Sequence, residues 1–338
     1  MVKKILLLLF QVLIMTSCGE IQDMENDPHG NFEALWRILD EHYCFFGEKD
    51  VDWEEVHTRY GECIDDEMTR EELFNVLADM IDELKDGHTN LSSGFRTSYY
   101  RKWWSDYPQN YNERLIQEHY FNYNYRSIGG IDYGLLSDNI GYLRYGNFSS
   151  AIGNGNIDYV LQFLSTSRGL IIDVRDNGGG DLTNVEQLVS RFITKPTLVG
   201  YISHKTGPGH NDFSEPRGFT YNPIGGGHIS YGKPVVVLCN RGTFSAANNF
   251  VAIMKNLPGV TIVGAQSGGG GGMPYSSELP NGWGIRFSSC AILDANGKST
   301  ENGIEPTAGC AVDMDEDLER QGIDSIIEKA ISVLSQKR

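Results

Sequence analysis

The sequence predicts an α/β fold, in which a covered and largely parallel sheet follows a small helical region at the N-terminus. Two near-continuous apolar runs, residues 169–175 and 234–239, are typical of strands buried inside a parallel sheet. A segment with helical periodicity follows each run, at 182–193 and at 246–256. This alternation of strands and helices indicates an α/β core.

Shorter patterns predict the remaining elements. Residues 140–145 and 260–264 are predicted to be strands, and residues 157–164 a helix. In the first hundred residues apolar side chains recur at helical spacing, and Gly87 is typical of a helix end. One last helix is predicted from the apolar positions of residues 318–334.

The first residues resemble the signal peptide of a bacterial lipoprotein. The apolar run 5–15 is too short to span a bilayer, which takes about 20 residues, and two lysines precede it. The following Met-Thr-Ser-Cys18 resembles a lipobox, whose cysteine becomes the acylated first residue. We therefore expect residues 1–18 to be a lipoprotein signal with its anchor cysteine, and the polar residues 19–29 to be a flexible tether. An ordinary secretory signal with an incidental cysteine is the alternative.

The rest of the chain divides into three predicted parts. Residues 30–91 form a helical subdomain, residues 92–130 an aromatic-rich connector, and residues 131–338 the α/β core. The tyrosines and tryptophans of the connector have two interpretations. Either their rings pack against the domain, or they form a wall of a peptide groove.

The composition excludes several classes of function. The net charge is -17 and the pI about 4.8, so the protein repels phosphate backbones and anionic lipid headgroups. Nucleic-acid binding is therefore not expected. Besides Cys18 the chain has five cysteines, an odd number that cannot pair fully. No Cys-x-x-Cys pair occurs, so neither a zinc ribbon nor a thioredoxin-like motif is supported.

The strongest chemical signal is a serine at the start of a predicted helix. In Asn240-Arg-Gly-Thr-Phe-Ser245-Ala-Ala a buried strand leads into a glycine turn and then into the helix. Ser245 is thus held by rigid elements at the positive end of a helix dipole. The amide of Ala246 lies in the first helical turn, where amides lack intrahelical partners, so it can supply half of an oxyanion hole. Alternatively, Ser245 only caps the helix.

Two further motifs contain groups that a nucleophilic serine needs. Asp173-Val-Arg-Asp-Asn-Gly178-Gly179-Gly180 places three glycines after a strand, so the backbone can approach a ligand and its amides could complete the oxyanion hole. A plain turn is the alternative, and the spacing of a dinucleotide-binding loop is absent. His88 is a candidate base, because a histidine titrates near neutral pH. Spacing alone does not distinguish it from a structural histidine.

Four motifs follow one another along the chain: Asp86-Gly-His-Thr89, Asp173–Gly180, Asn240–Ala247 and Glu301-Asn-Gly-Ile-Glu-Pro306. Together they resemble the serine peptidase family that contains the C-terminal-processing proteases, the tricorn core protease and interphotoreceptor retinoid-binding protein. The resemblance extends over residues 30–335. It implies that the α/β core has the ClpP/crotonase-like fold.

The same resemblance implies roles for individual residues. Ser245 matches the nucleophile, and the amides of Ala246 and of the Gly178–Gly179 turn match the oxyanion hole. His88 falls at the histidine of the tricorn-like branch. Glu301 falls at a carboxylate that assists the site in that branch.

Two departures from the family's pattern matter. The C-terminal-processing branch uses a lysine shortly after the serine, but the stretch Ser267–Gly272 contains none, so a Ser–His pair is favoured. That branch also has a PDZ domain before the core. The chain between His88 and the strand at residue 140 is too short for one, so we expect none. The glycine run 268–272 is interpreted as a flexible loop without chemistry, and no Walker motif follows it.

These observations predict a serine peptidase that hydrolyses peptides or unfolded proteins through an acyl-enzyme, without a metal or cofactor. A non-catalytic peptide- or lipid-binding protein on the same scaffold is the main alternative. A carboxylesterase of the α/β-hydrolase type fits poorly, because Ser245 is not in Gly-x-Ser-x-Gly and His88 precedes it. We expect lipid anchoring in the bacterial cell envelope, at the outer membrane or cell surface. The sequence does not predict the oligomeric state.

Overall fold

The structure, a computed structural model, describes residues 24–336. In chain order the α-helices of this range are α1 Pro28–His42, α2 Trp53–Gly61, α3 Arg70–Asp82, α4 Lys102–Ser105, α5 Glu113–Leu115, α6 Asn154–Phe163, α7 Leu182–Val189, α8 Ala246–Lys255, α9 Glu316–Arg320 and α10 Ser325–Gln336. The strands are β1 Asn90–Ser92, β2 Arg126–Ile128, β3 Ile131–Leu136, β4 Ile140–Tyr145, β5 Leu170–Asp173, β6 Thr197–His204, β7 Arg217–Tyr221, β8 Val235–Cys239, β9 Val260–Gly264, β10 Gly272–Glu278 and β11 Gly284–Leu293.

The predicted signal peptide with Cys18, and residues 19–23 of the predicted tether, lie outside the described residues, so the lipid anchor stays a prediction. Helix α1 begins at Pro28, inside the segment predicted as tether. The Asp27 carboxylate accepts a hydrogen bond from the Gly30 amide at 2.7 Å, and proline fits the first helical turn. The last two residues of that segment are therefore helical. No described helix is both long and apolar enough to cross a membrane.

The chain folds into two compact units, and neither is a continuous stretch. The first unit contains the described residues up to Arg101 together with His204–Ser214 and Met273–Cys290. The second contains Lys102–Ser203, Glu215–Gly272 and the chain from Ala291 onward. The division at residues 30, 92 and 131 stays a prediction about domains. The compact units follow a different division, because two segments of the predicted core belong to the first unit.

The first unit contains the predicted N-terminal helices. Helix α3 starts with a capping box, in which the Thr69 hydroxyl accepts from the Glu72 amide and the Glu72 carboxylate accepts from the Thr69 amide. Strand β1 pairs antiparallel with β11. Trp283, buried just before β11, packs its ring against Phe74 of α3. The sequence prediction of a helical region before the core is confirmed.

The second unit is built on a six-stranded sheet with the order β2-β3-β4-β5-β8-β9. Strands β4, β5, β8 and β9 are parallel, whereas β2, β3 and β4 form an antiparallel meander at one edge. Successive strand residues enter different cores. Ile172 and Val237 pack in the core that includes α6, α7 and α8, and Ile171 and Val236 pack with α10. The predicted α/β fold is confirmed, with the sheet covered on both faces.

The topology brings two loops together. Strands β5 and β8 are adjacent and parallel, with Asp173 opposite Leu238. Their carboxyl ends therefore lie at the same edge of the sheet, the usual position of a site in such sheets. The loop after β5 contains the predicted glycine turn, and the loop after β8 leads to Ser245.

The single helix predicted over residues 318–334 is wrong, because the structure contains two helices there, α9 and α10. Gly322 adopts a φ of +81°, a left-handed conformation that ends a helix. Asp324 then starts the next helix, since its carboxylate accepts from the amides of Ile326 and Ile327 at 3.0 and 2.9 Å.

Candidate active site

The loops after β5 and β8 are joined by hydrogen bonds. The Thr243 hydroxyl donates to the carbonyl oxygen of Val174 at 2.7 Å. The Phe244 amide donates to the carbonyl oxygen of Asn177 at 3.0 Å. Both bonds lie within a few residues of Ser245, so the glycine turn and the serine are held as one assembly.

Ser245 has an unusual backbone conformation, with φ 56° and ψ -122°. A non-glycine residue in such a region costs on the order of 1–3 kcal/mol and persists where its surroundings hold it, often in active sites. Its amide donates to the carbonyl oxygen of Gly269 at 2.8 Å. In the described helix α8, the Ser245 side chain makes no capping hydrogen bond. The interpretation of Ser245 as a mere helix cap is therefore wrong.

The glycine turn lies directly against Ser245. A Cβ atom at Gly179 would come within 2.8 Å of the Ser245 Cβ and 2.9 Å of the Ala246 nitrogen, so no side chain fits there. The Gly179 amide donates to the Asn177 side-chain oxygen at 3.0 Å. By contrast, no residue within 24–336 accepts a hydrogen bond from the amides of Gly178 or Ala246. Those two amides are therefore the candidates for binding an oxyanion.

The glycine run 268–272 is buried and fixed, so its interpretation as a flexible loop is wrong. The Gly271 amide donates to the Glu301 carboxylate at 2.9 Å, and the Gly270 amide donates to the Glu301 carbonyl oxygen at 3.1 Å. A Cβ atom at Gly269 would lie 1.8 Å from the same carbonyl oxygen, which explains the absence of a side chain. Glu301, 5% exposed, thus holds the segment whose Gly269 oxygen binds the Ser245 amide.

His88 belongs to the first unit, whereas Ser245, Ala246, the glycine turn and Glu301 belong to the second. The His88 side chain is buried, and its amide donates to the Asp86 carboxylate at 2.7 Å. The other oxygen of that carboxylate accepts from the Ser288 hydroxyl at 2.8 Å. Burial lowers the pKa of His88 to about 4, and the charge of Arg286 adds to this effect while that of Asp86 opposes it. The imidazole is therefore neutral at pH 7 and able to accept a proton.

The low pKa of His88 predicts a loss of stability in acid. Between pH 6.5 and 4 the unfolded chain binds a proton at this histidine that the folded chain does not, so the free energy of unfolding falls as the pH falls. The full contribution is present above pH 6.5, and its loss amounts to about 3 kcal/mol by pH 4. Urea unfolding of wild type and His88→Gln at pH 7 and 4 measures it. Between pH 7 and 4 the wild type should lose about 3 kcal/mol more stability than His88→Gln. His42→Gln, a change at an exposed histidine, should lose as much stability as the wild type. Equal losses in wild type and His88→Gln would contradict the assignment.

Sequence reasoning missed the side chains that cover the loop before Ser245. The Trp103 ring stacks on Phe244 with centroids 4.1 Å apart. Arg241 donates from Nε to the Trp103 carbonyl oxygen at 2.9 Å, and its guanidinium lies 4.1 Å from the centroid of the Tyr107 ring. The aromatic connector thus packs on the serine loop. The aromatic density of residues 92–130 was a signal for packing, but not for its location.

A metal site finds no support in the described part of the chain. Between residues 24 and 336 no three His, Cys, Asp or Glu side chains are grouped so that they could hold an ion.

Comparison with known proteins identifies the family. The sequence profile described as Peptidase family S41 matches residues 139–309, half of the chain, and the profile of the tricorn protease C1 domain matches residues 24–82. The chain belongs to peptidase family S41. The S41 match spans the glycine turn, Ser245 and Glu301, and the family predicted from four motifs is confirmed.

Individual relatives agree with this family. The carboxy-terminal processing protease CtpB of Bacillus subtilis is 30% identical over 142 residues, which are 41% of this chain and 27% of CtpB. This chain therefore matches about a quarter of the length of CtpB. The crystal structure of a candidate peptidase from Parabacteroides merdae is 47% identical, with a TM-score of 0.87 over 92% of this chain and 97% of that one. The structure of mature CPAF, 13% identical with a TM-score of 0.68 over 92% and 98% of the two chains, shares the fold.

Proposed function

We propose that this S41 peptidase hydrolyses peptide bonds through an acyl-enzyme on Ser245, with His88 as the general base. The observation that carries the proposal is the assembly around Ser245. A serine in a strained backbone conformation is followed by the Ala246 amide and packs against the glycine turn that contains the Gly178 amide, and neither amide has an acceptor among the described residues. Such amides are what the negatively charged oxygen of a tetrahedral intermediate requires.

The reaction proceeds in two steps, acylation of Ser245 and deacylation by water. His88 takes the proton of the Ser245 hydroxyl as Oγ bonds to the scissile carbonyl carbon, and the carbonyl oxygen becomes an oxyanion held by the Gly178 and Ala246 amides. When the C–N bond breaks, the leaving amine takes the proton from His88. His88 then deprotonates a water, which adds to the carbonyl carbon of the acyl ester. The bond between that carbon and Oγ breaks, Oγ takes the proton back from His88, and the carboxylic acid product leaves.

The charge state of His88 supports its role as base. A base must be unprotonated before the reaction, and this imidazole is neutral at pH 7, although the same lowered pKa makes it a weaker proton acceptor than an ordinary histidine. The order of the four motifs along the chain provides the second support, since the family's tricorn-like branch has a histidine at this position. The Asp86 carboxylate, held by the His88 amide and by Ser288, fixes the turn in which His88 lies.

Glu301 has a supporting role in this proposal. Its carboxylate is buried and accepts a hydrogen bond from the Gly271 amide, which supports a role through the glycine run. The run in turn binds the Ser245 amide through the Gly269 oxygen. Glu301 is therefore assigned as a positioning residue for the nucleophile.

A fluorophosphonate probe tests the proposal. The Ser245 oxygen should attack phosphorus and release fluoride, so mass spectrometry should find one added phosphonyl group on the peptide that contains Ser245. Ser245→Ala should remain unmodified, and His88→Gln should react more slowly by about 10²-fold, the usual contribution of a general base. A wild-type protein that stays unlabelled would overturn the peptidase mechanism and favour the binding-protein alternative.

A further inference from the structure

The side chain of Asn240 links the two loops that contain the oxyanion amides and the nucleophile. Asn240 is the first residue after β8 and is 3% exposed. Its oxygen accepts from the Asp176 amide at 2.9 Å and from the Gly242 amide at 3.1 Å. Its amide group donates to the Asp176 carboxylate at 2.7 Å. One buried amide side chain therefore uses both of its ends in the contact between the loops.

The backbones of the loops after β5 and β8 approach each other closely at this contact. A Cβ atom at Gly242 would lie 2.4 Å from the Asp176 carboxylate oxygen. Asp176 itself has a positive φ of 52°, a conformation that asparagine and aspartate adopt more readily than other non-glycine residues, so the exchange Asp176→Asn keeps a residue suited to it. Asp176 is two residues before Gly178, and Gly242 is three residues before Ser245.

From this geometry we infer that Asn240 is a positioning residue, which acts together with the Thr243 and Phe244 bonds between the loops to set the separation between the Gly178 amide and Ser245. The inference rests on the proposed function and adds to it the side chain that aligns the oxyanion site. Asn240 touches no reacting atom. Its removal shifts an oxyanion donor relative to the nucleophile, and a displacement of about 1 Å in such a site can lower the rate about 10²-fold.

The pair of Asn240 and Asp176 allows a swap experiment. In Asn240→Asp, two carboxylates face each other where one amide donated, so the loops separate. In the double variant Asp176→Asn with Asn240→Asp, the side-chain amide stands at position 176 and donates to the side-chain carboxylate at position 240. That carboxylate still accepts from both backbone amides, and the total charge equals that of the wild type. Comparison of the single and double variants therefore separates the effect of losing this contact from the effect of the added negative charge.

The readout is inactivation by the fluorophosphonate, analysed as the maximal rate kinact and the half-saturating concentration KI. Asn240→Asp should lower kinact about 10²-fold with KI changed by less than about threefold, because alignment acts on the transition state and not on binding of the probe. The swapped double variant should recover kinact to within about fivefold of wild type. Asn124→Asp, which makes the same charge change at an exposed position, should have no effect.

Different results separate the failure of this inference from the failure of the proposed function. If Asn240→Asp is labelled at the wild-type rate, or if the swap recovers nothing while thermal unfolding shows a folded double variant, the positioning role is wrong. Should Asn240→Asp itself fail to fold, recovery of both fold and kinact by the swap still supports the contact. An unlabelled wild type would overturn the proposed function, and this inference with it.

Discussion

Replacing Ser245 with alanine should lower turnover of an unfolded protein such as casein by more than about 10⁴-fold, as loss of a serine nucleophile does in other serine peptidases. The reason is chemical, because alanine has no oxygen to form the acyl bond, while the amides of Gly178 and Ala246 remain. Replacement of His88 by glutamine should lower turnover by about 10²–10⁴-fold, since a carboxamide does not accept a proton at neutral pH. Release of labelled peptides measures both losses.

Matched variants control for nonspecific effects in this experiment. Ser165→Ala removes a hydroxyl and His42→Gln an imidazole at exposed positions, and both should keep wild-type turnover. Thermal unfolding should show that Ser245→Ala remains folded. Turnover retained in Ser245→Ala would contradict the nucleophile assignment, and turnover retained in His88→Gln would contradict the base assignment alone.

Replacing Arg175 with methionine should lower the free energy of unfolding by about 3–5 kcal/mol, the usual effect of removing one partner from a buried ion pair. The guanidinium is fully buried, and it donates to Asp173 at 2.6 Å and to Asp324 at 2.8 Å. Burial would raise the pKa of Asp173, but the charge of Arg175 holds it below the usual value. Without the arginine the buried Asp324 carboxylate loses its counter-ion, and Asp173 keeps only Arg144 at 3.7 Å. Urea unfolding at pH 7 measures the loss.

An exposed ion pair provides the control for Arg175. Arg320 pairs with Asp317 and Glu316 at the surface, so Arg320→Met should cost less than about 1 kcal/mol. Adding Asp324→Asn to Arg175→Met should restore part of the stability, because asparagine carries no charge and keeps an oxygen for the amides of α10. Equal losses in Arg175→Met and Arg320→Met would show that the buried network does not contribute as described.

The strands and the serine loop could be predicted because their signals are local. Buried parallel strands appear as short apolar runs, and β4 and β9 have the predicted bounds, residues 140–145 and 260–264. Parallel strands also place their carboxyl ends together, so the glycine turn and Ser245 could be expected at one edge. The split between α9 and α10 was missed, because apolar spacing outweighed the signal of Gly322 followed by Asp324.

The supports of the site could not be predicted, because they connect residues far apart in the chain. Glu301 contacts the glycine run through backbone amides, which have no sequence signature. Asn240 belongs to one of the four motifs, but only its contact with Asp176, 64 residues earlier, shows that it links the loops after β5 and β8. The first unit likewise draws on three separate segments of the chain. A composition or a periodicity cannot show such pairings.

The backbone of Ser245 has a consequence for how this fold changes over generations. Glycine is the residue that adopts a φ of 56° without a steric penalty, yet it has no hydroxyl. As long as hydrolysis is selected, serine is retained there against the preference of the backbone. Once a descendant is selected only for binding, that restraint disappears, and substitution by glycine both relaxes the chain and removes the nucleophile. In a descendant that binds but no longer hydrolyses, we therefore expect glycine at this position and a more stable fold.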